Sequence, residues 1–356
     1  MKKFFLMAVC IIMSMTASAI SINKALLDHN GTVTLYDGLQ DAINASADGD
    51  VIYLTLGTFK GPFTVSKLIS IRGTGETSII DGDVTISIPG TPEMTNPILE
   101  ALTVSGSVTV NSNISYLYMH KCKINVALAI DSNINRGKIE RCKIGNITFG
   151  GTIDNFFIDR SYVTNTITIS SGIKGMTVVN TKLNNLKASA GATGNTTFVN
   201  CNISVIYAPN FSGTIMNSII SFSENSSGYS GNENSRIFST VLLNTLMYSY
   251  GNCVSIGSSS IAQNCYNVNN YVSYTYNNSS YSGIVNPSCE CYYTTLQLQT
   301  NGYLGTDGTV VGIYGGETPY SETDMLSPSV PKVTSSSLDL DMEKKELNVK
   351  LTVSPQ

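Results

Sequence analysis

Between residues 119 and 220, apolar and polar positions alternate in short runs that recur about every twenty residues. Aligned on a small residue (Cys122, Cys142, Ser161, Thr181, Cys201 and Ser218), the runs are spaced 20, 19, 20, 20 and 17 residues apart. Three places before the small residue stand Met119, Ile139, Ile158, Val178, Phe198 and Ile215, and two places after it Ile124, Ile144, Val163, Leu183, Ile203 and Ile220. Both columns are apolar throughout, whereas the place just before the small residue reads Lys121, Arg141, Arg160, Asn180, Asn200 and Asn217. Period-two alternation on either side predicts two short strands, and the Asn-rich polar interruption between them predicts a tight bend. One strand-bend-strand unit cannot bury its own apolar face. A stack of units can, with like residues about 4.8 Å apart and interior columns of Ile, Val, Leu and Cys. The expected fold is therefore all-β: a parallel β-helix of roughly a dozen rungs. An antiparallel sandwich would need hairpin turns about every 8–12 residues and would give the same-phase columns no cause.

Residues 36–81 read YDGLQDAINASADGDVIYLTLGTFKGPFTVSKLISIRGTGETSIID. Leu39, Ala42 and Ile43 share one face of a short helix, followed by a strand from Val51 to Leu54 and a turn at Gly57. This succession resembles the N-terminal cap and first rungs of right-handed parallel β-helices of the pectin-lyase-like superfamily. In those chains a helix containing LQDAI plugs the end of the coil, and Gly-Asp followed by alternating apolar residues opens the first rung. Leu56 stands where that superfamily often has Pro. The resemblance implies a right-handed coil, a short N-terminal capping helix and a secreted bacterial type of protein. It does not extend to catalysis: the Asn-Thr-Asp, Asp-Asp, Gly-His-Gly and Arg-Ile-Lys blocks of polygalacturonase-like members are absent, and the calcium-binding aspartates and Arg-containing catalytic segment of pectate lyases find no match. Gly73-Thr74-Gly75 is read as a turn, since strand-like residues follow it where a dinucleotide site would need a helix.

The first nineteen residues combine Lys2-Lys3, an apolar stretch from Phe4 to Met13 and Ala17-Ser18-Ala19, the marks of a secretory signal peptide cleaved after Ala19. No later stretch approaches the roughly 18 apolar residues of a membrane span, so a secreted, periplasmic or cell-surface location is expected. The division that follows is signal peptide 1–19, N-terminal cap 20–50, parallel β-helix 51–316, and a linker with a short C-terminal β tail over 317–356. The coil is expected to end near 307–320, a segment similar to one that follows the β-helix in many secreted bacterial proteins. SPSVPKV (327–333) reads as a proline-bounded linker, and Leu347, Val349, Leu351 and Val353 alternate in one last strand.

Charged residues make up 13% of the chain and the net charge is -4, which gives no attraction to nucleic acid. Of the cysteines, Cys122, Cys142 and Cys201 share one phase of the repeat and read as buried small residues. Cys253, Cys265, Cys289 and Cys291 could be oxidised in an exported protein, with connectivity left open. No cysteine-histidine spacing fits zinc, and no cofactor is expected. Asp81 and Asp83 offer two carboxylates for calcium, fewer than the 6–8 oxygens that ion takes, and a turn role is preferred.

The cations are local. Residues 121–187 hold ten Lys or Arg against four Asp or Glu. His120, Glu140 and Asp159 fall in one column, beside Lys121, Arg141 and Arg160, with Lys123, Lys143, Tyr162 and Lys182 just past the bend. Such a row suits an anionic polysaccharide, and an Arg or Lys crowded by like charges can act as a base. Glu140 and Asp159 could alternatively form the acid and base of a glycosidase. The plainer and preferred reading is a solvated ladder of ion pairs, each contributing about 0–1 kcal/mol. Farther on, eleven of nineteen tyrosines lie between Tyr229 and Tyr303, and rings such as Tyr271, Tyr274 and Tyr276 either stack on neutral sugars or simply cover long loops. The leading expectation is a secreted or surface β-helix that binds carbohydrate or a surface partner without catalysis. The rivals are a polysaccharide lyase or glycoside hydrolase, and a structural, adhesin-like spacer.

Overall fold

A computed structural model describes residues 23–90, 93, 96–169, 172–188, 193–207, 212–223, 236–237, 241–250, 254–256, 261–268, 272–273, 281–282, 302–325, 332–341 and 346–354. The signal-peptide stretch, Cys253, Cys289, Cys291, Tyr271, Tyr274, Tyr276 and most of the proline-bounded linker lie outside the described residues.

The chain forms a parallel β-solenoid. Its first sheet has fourteen strands; Ala25–His29 and Thr32–Tyr36 pair antiparallel at one edge, and the remaining twelve are mutually parallel. A second sheet, also of fourteen strands, takes up the residues after each bend. Stacking is in register: Met119 pairs with Ile139, Ile139 with Ile158, Ile158 with Val178, and Val178 with Phe198. Across the bend the column Ile124, Ile144, Val163, Leu183 and Ile203 does the same. All these side chains are buried in one continuous core, as the two apolar columns of the sequence require. The helix Leu39–Ala45 buries Leu39, Ala42 and Ile43 in that core. Gly75 adopts φ +94 and the chain continues into the strand Ser78–Asp81, as expected of a turn.

The bend has a strict hydrogen-bond plan. The residue before the small one donates its N–H to the next rung, as in Lys121 N to Glu140 O and Arg141 N to Asp159 O, both 3.0 Å. The residue after it donates to the previous rung, as in Lys143 N to Cys122 O and Tyr162 N to Cys142 O, both 2.8 Å. The small residue's own N–H has no carbonyl opposite it, and the side chain of the next small residue accepts it instead. Cys142 N donates to Ser161 Oγ (3.1 Å), Ser161 N to Thr181 Oγ1 (3.2 Å) and Cys201 N to Ser218 Oγ (3.0 Å). Each hydroxyl in turn donates to the carbonyl two residues earlier, as Ser161 Oγ does to Asp159 O at 2.9 Å. Smallness alone would admit Ala, but a buried N–H left without a partner is costly, so the column is written in Ser, Thr and Cys. Burial pushes the Cys201 thiol up to about 12, that of Cys265 up to about 11, and that of Cys122 well above a free thiol. These are inert, unpaired thiols; the question of pairing Cys265 is thereby answered for that residue.

The C-terminal expectation is corrected by a second strand. Lys332–Asp341 pairs antiparallel with Glu346–Ser354, so the alternating strand has a partner in its own hairpin. Linker-like composition concealed it: KVTSSS lacks the apolar alternation that marks a strand.

Gly137 pairs with Phe156 on the next rung, and a Cβ there would lie 2.3 Å from the Phe156 ring. The ring itself packs edge-on against Phe149, with centroids 5.4 Å apart. Gly137→Ala is expected to lower unfolding stability by about 1–3 kcal/mol through overpacking, with part of the loss recovered in Gly137→Ala/Phe156→Leu. Chemical denaturation of the three proteins measures both effects.

Candidate functional site

At the bend the residue preceding the small one is left-handed in every rung from Ala101 to Asn264: φ is 50° at Ala101, 53° at Lys121 and Arg141, 45° at Arg160 and Asn180, and 50° at Asn264. Asn tolerates this conformation, while other L-residues bear roughly 1–2 kcal/mol. Asn180, Asn200, Asn217, Asn244 and Asn264 therefore follow from the backbone. Lys121, Arg141 and Arg160 do not; they hold cationic side chains on a corner where Asn would fit with less strain.

On the first sheet, just before this corner, Arg72, Glu100, His120, Glu140 and Asp159 stand in register. They neutralise one another. Glu100 is ion-paired with Arg72, 3.0 Å from its Nε without hydrogen-bond geometry, and lies 3.1 Å from His120 Nδ1. Glu140 Oε1 receives Arg160 at 2.5 Å, and its Oε2 receives Tyr118 OH at 2.9 Å and Lys138 Nζ at 2.8 Å. Arg160 also donates to Asp159, at 2.7 and 3.0 Å. The His120 contact holds the Glu100 carboxyl below its ordinary range against the effect of burial. Burial acts to raise Glu140, and the bonds from Lys138 and Tyr118 outweigh it, so this carboxyl too is held low. Both are kept as ionised acceptors. Alongside, Tyr116, Tyr118 and His120 follow one another outward on the same strand, with Arg136 and Lys138 each 5.8 Å from a tyrosine ring centre.

Past the corner, Lys123, Lys143, Tyr162 and Lys182 form the matching column of the second sheet. Lys123 pairs with Glu76 at 2.9 Å. Lys143 and Lys182 instead flank the Tyr162 ring from the rungs on either side, 5.7 and 4.8 Å from its centre, and among the described residues neither meets a carboxylate. Among the described residues Arg141 has one long ion pair, 3.4 Å to Asp324, and its buried Nε has no hydrogen-bond partner. The sequence-derived candidates thus divide into a neutralised column (His120, Glu140, Asp159, Arg160) and an under-neutralised corner (Arg141, Lys143, Tyr162, Lys182).

Residues 302–325 were not foreseen in this role. They run back along the corner as a strap, against the Asn ladder. Asn244 Nδ2 reaches Leu304 O at 3.5 Å, and Asn217 binds Thr306 through both amide atoms. Gly312 N donates to Asn217 O at 2.7 Å, Ile313 N to Asn202 Oδ1 at 3.2 Å, and Asn180 Nδ2 to Gly315 O at 2.7 Å. Gly312 is obligatory here: φ is +88 and a Cβ would meet Asn202 Oδ1 at 2.5 Å. Beyond it Ile313, Tyr320 and Met325 bury one another against Tyr162.

At the far N-terminal rungs, Asp81 is held by Lys60 and by Ser105 Oγ, and Asp83 accepts Ser107 N, the bonding of turn residues. Among the described residues no three His, Cys, Asp or Glu side chains come together as a metal cluster, and no helix is long and apolar enough to cross a membrane. Comparison with protein-family models, with curated proteins and with solved structures gives no match. The likeness of residues 36–81 to pectin-lyase-like chains therefore reaches as far as the parallel β-solenoid, and the site has to be read from its own geometry.

Two outcomes follow from this geometry. Asn180→Ala loses the bonds to Ile313 O and Gly315 O and meets a left-handed backbone, so a destabilisation of about 2–3 kcal/mol is expected, with Asn180→Gly retaining the backbone share; urea titration separates them. For pH, Glu100 and Glu140 bind protons less readily folded than unfolded, so their contribution is complete above the unfolded carboxyl range and fades as pH falls through the folded one. Thermal melting from pH 7 down to pH 3 should therefore show a steeper acid loss in the parent protein than in Glu140→Gln.

Proposed function

We propose that this chain is an exported β-solenoid that binds a carboxylate-bearing glycan at the corner formed by Arg141, Lys143, Tyr162 and Lys182, without cleaving it. The observation that carries the reading is the pair of lysines flanking Tyr162 with no carboxylate of the described residues to neutralise them. The two ammonium groups offer a uronate carboxylate its counter-charge, and the Tyr162 phenol between them offers a hydrogen bond. The signal-peptide features of residues 1–19 put the protein where such polymers occur.

Hydrolysis is disfavoured by the neighbouring column. A glycosidase acid must be protonated at working pH, whereas Glu140 accepts three charged or phenolic donors and is held ionised. Asp159 shares Arg160 with it, which binds the pair as a structural knot.

The deciding experiment is a binding and turnover assay of residues 20–356 on polygalacturonate and on neutral polysaccharides. Binding to the acidic polymer is expected to weaken with salt and to drop about five- to tenfold in Lys143→Gln/Lys182→Gln, since each exposed charge contributes at most about 1 kcal/mol. New unsaturated or reducing ends would replace this reading with the enzymatic one. Indifference to every glycan would leave the structural spacer.

A further inference from the structure

The first sheet ends on a strand with a neighbour on one side only. Thr32–Tyr36 pairs with Ala25–His29, and among the described residues no strand lies beyond it. The turn Asn30-Gly31, with φ of 52° and 86°, pins the register of this hairpin. Thr55 N donates to Lys24 O at 3.1 Å, so Lys24, and with it Leu26 and Asp28, directs its backbone groups toward Val51–Leu54. Ala25, Leu27 and His29 then direct theirs toward Tyr36, Thr34 and Thr32. That leaves the N–H and C=O groups of Val33 and Leu35 pointing away from the sheet.

The side chains of the same two residues are also unspent. Ala25 and Leu27 are buried in the core, which puts Thr34 and Tyr36 on the inner face and Val33 and Leu35 on the outer one. Val33 is 56% and Leu35 59% exposed, and Leu35 continues through Leu26 to Tyr53 as an apolar row. Val33, Leu35, Tyr53 and Leu56 are four of the eight large apolar side chains exposed among the described residues, so apolar exposure is concentrated at this cap. Sheets protect such an edge with a Lys, a Pro or a bulge, and TVTLY (32–36) has none of them. The charges nearby are spent within the chain: Lys24 on Asp37, His29 Nδ1 on Asp50 at 2.7 Å, and Asp28 Oδ1 on Gly31 N at 2.8 Å.

We infer that this edge joins two copies of the chain, paired as antiparallel strands about a two-fold axis at Thr34. In that register Val33 exchanges both backbone bonds with Leu35 of the other copy, and Leu35 with its Val33, so every outward group is used. Their side chains meet on the outer face as apolar cross-strand pairs. Centring the axis on Val33 would set Leu35 opposite Gly31 of the turn, and centring it on Leu35 would set Val33 opposite Asp37, beyond the strand. No uncompensated charge at the edge repels a second copy. The chain's own start is badly placed to fill it: Asn23 lies on the far side of the hairpin, with Nδ2 bonded to Thr58 O at 2.6 Å. With cleavage after Ala19, the three residues before it are too few to turn past the hairpin and run along its outer edge. A five-residue edge covers less than the roughly 1,200 Å² of a stable interface, so a dimer dissociating at about 10–100 µM is expected. The inference is independent of the glycan-binding reading.

Sedimentation equilibrium of the chain from Ile20 to Gln356, over about 1–300 µM, reads the mass, and residue-resolved amide exchange at both ends of that range reads the edge. Exchange at Val33 and Leu35 is expected to slow several-fold at the high concentration, with Thr34 and Tyr36, already bonded in the hairpin, unchanged. Leu35→Pro removes an outward N–H that the hairpin does not use, and Val33→Lys/Leu35→Lys charges the outer face. Each is expected to weaken association at least about tenfold, while Val126→Lys, a comparably exposed apolar position on the second sheet, leaves it unaltered. A monomer at every concentration overturns the inference, and so does association that both edge variants leave intact. Slow exchange of Val33 and Leu35 in the dilute parent overturns it as well, since a segment of the same chain would then cover the edge. Association with both amides exchanging freely overturns strand pairing, and an assembly growing past the dimer overturns the two-fold arrangement.

Discussion

The whole coil depends on how the chain turns between its two sheets. At each turn one residue is left-handed, the next points inward, and the inward residue's N–H faces the next rung where no carbonyl is available. The side chains of Ser161, Thr181 and Ser218 fill that gap by accepting the N–H of one rung and donating to a carbonyl of their own. Cys122, Cys142 and Cys201 occupy the same places, with sulfur standing in for the hydroxyl. A buried amide without a partner costs more than a typical hydrogen bond contributes, so this interaction determines both the residue types at the bend and the spacing of the repeats. Everything outside it, including which side chains reach solvent on either side of the corner, is positioned by that register.

Charge is distributed around the corner according to the same register. Columns on the first sheet bring Glu100, His120, Glu140 and Asp159 onto successive rungs, and the cations from Arg72, Lys138 and Arg160 complete a ladder in which each charge has a partner. On the second sheet the same spacing puts an aromatic ring between two lysines. Cations on the rungs either side of one ring gain from its quadrupole, and among the described residues no carboxylate neutralises them. The contrast between a satisfied column and an unsatisfied one, a few ångströms apart, is what distinguishes scaffold from candidate surface here.

Much of the coil was legible because its determinants are periodic. Met119 to Ile215 and Ile124 to Ile220 are buried in register as their alternation requires, and the polar place between them is the left-handed bend. The charged column was legible as an ion-pair ladder for the same reason, since residues twenty apart stack. The strap was not. Asn180 and Gly315 are 135 residues apart, and nothing periodic links an amide on a bend to the backbone of a glycine-rich segment. The partner strand Lys332–Asp341 escaped for a related reason, its first residues being serine-rich and without alternation. The choice of Ser, Thr and Cys at the bend was visible as smallness, while its hydrogen-bonding cause required the direction of each N–H.

Taken by itself, the sequence determined the solenoid, its phase and the side on which each residue would stand, because burial of alternating apolar columns admits one register and a slip by one residue would turn every column outward. Only the tertiary structure decided which charges remain unspent. Whether Lys143, Lys182 and Arg141 are free or paired depends on what the rungs above and below present and on where a distant acidic segment returns. Those are distances across the fold, set by contacts between residues far apart in the chain, and no local pattern encodes them.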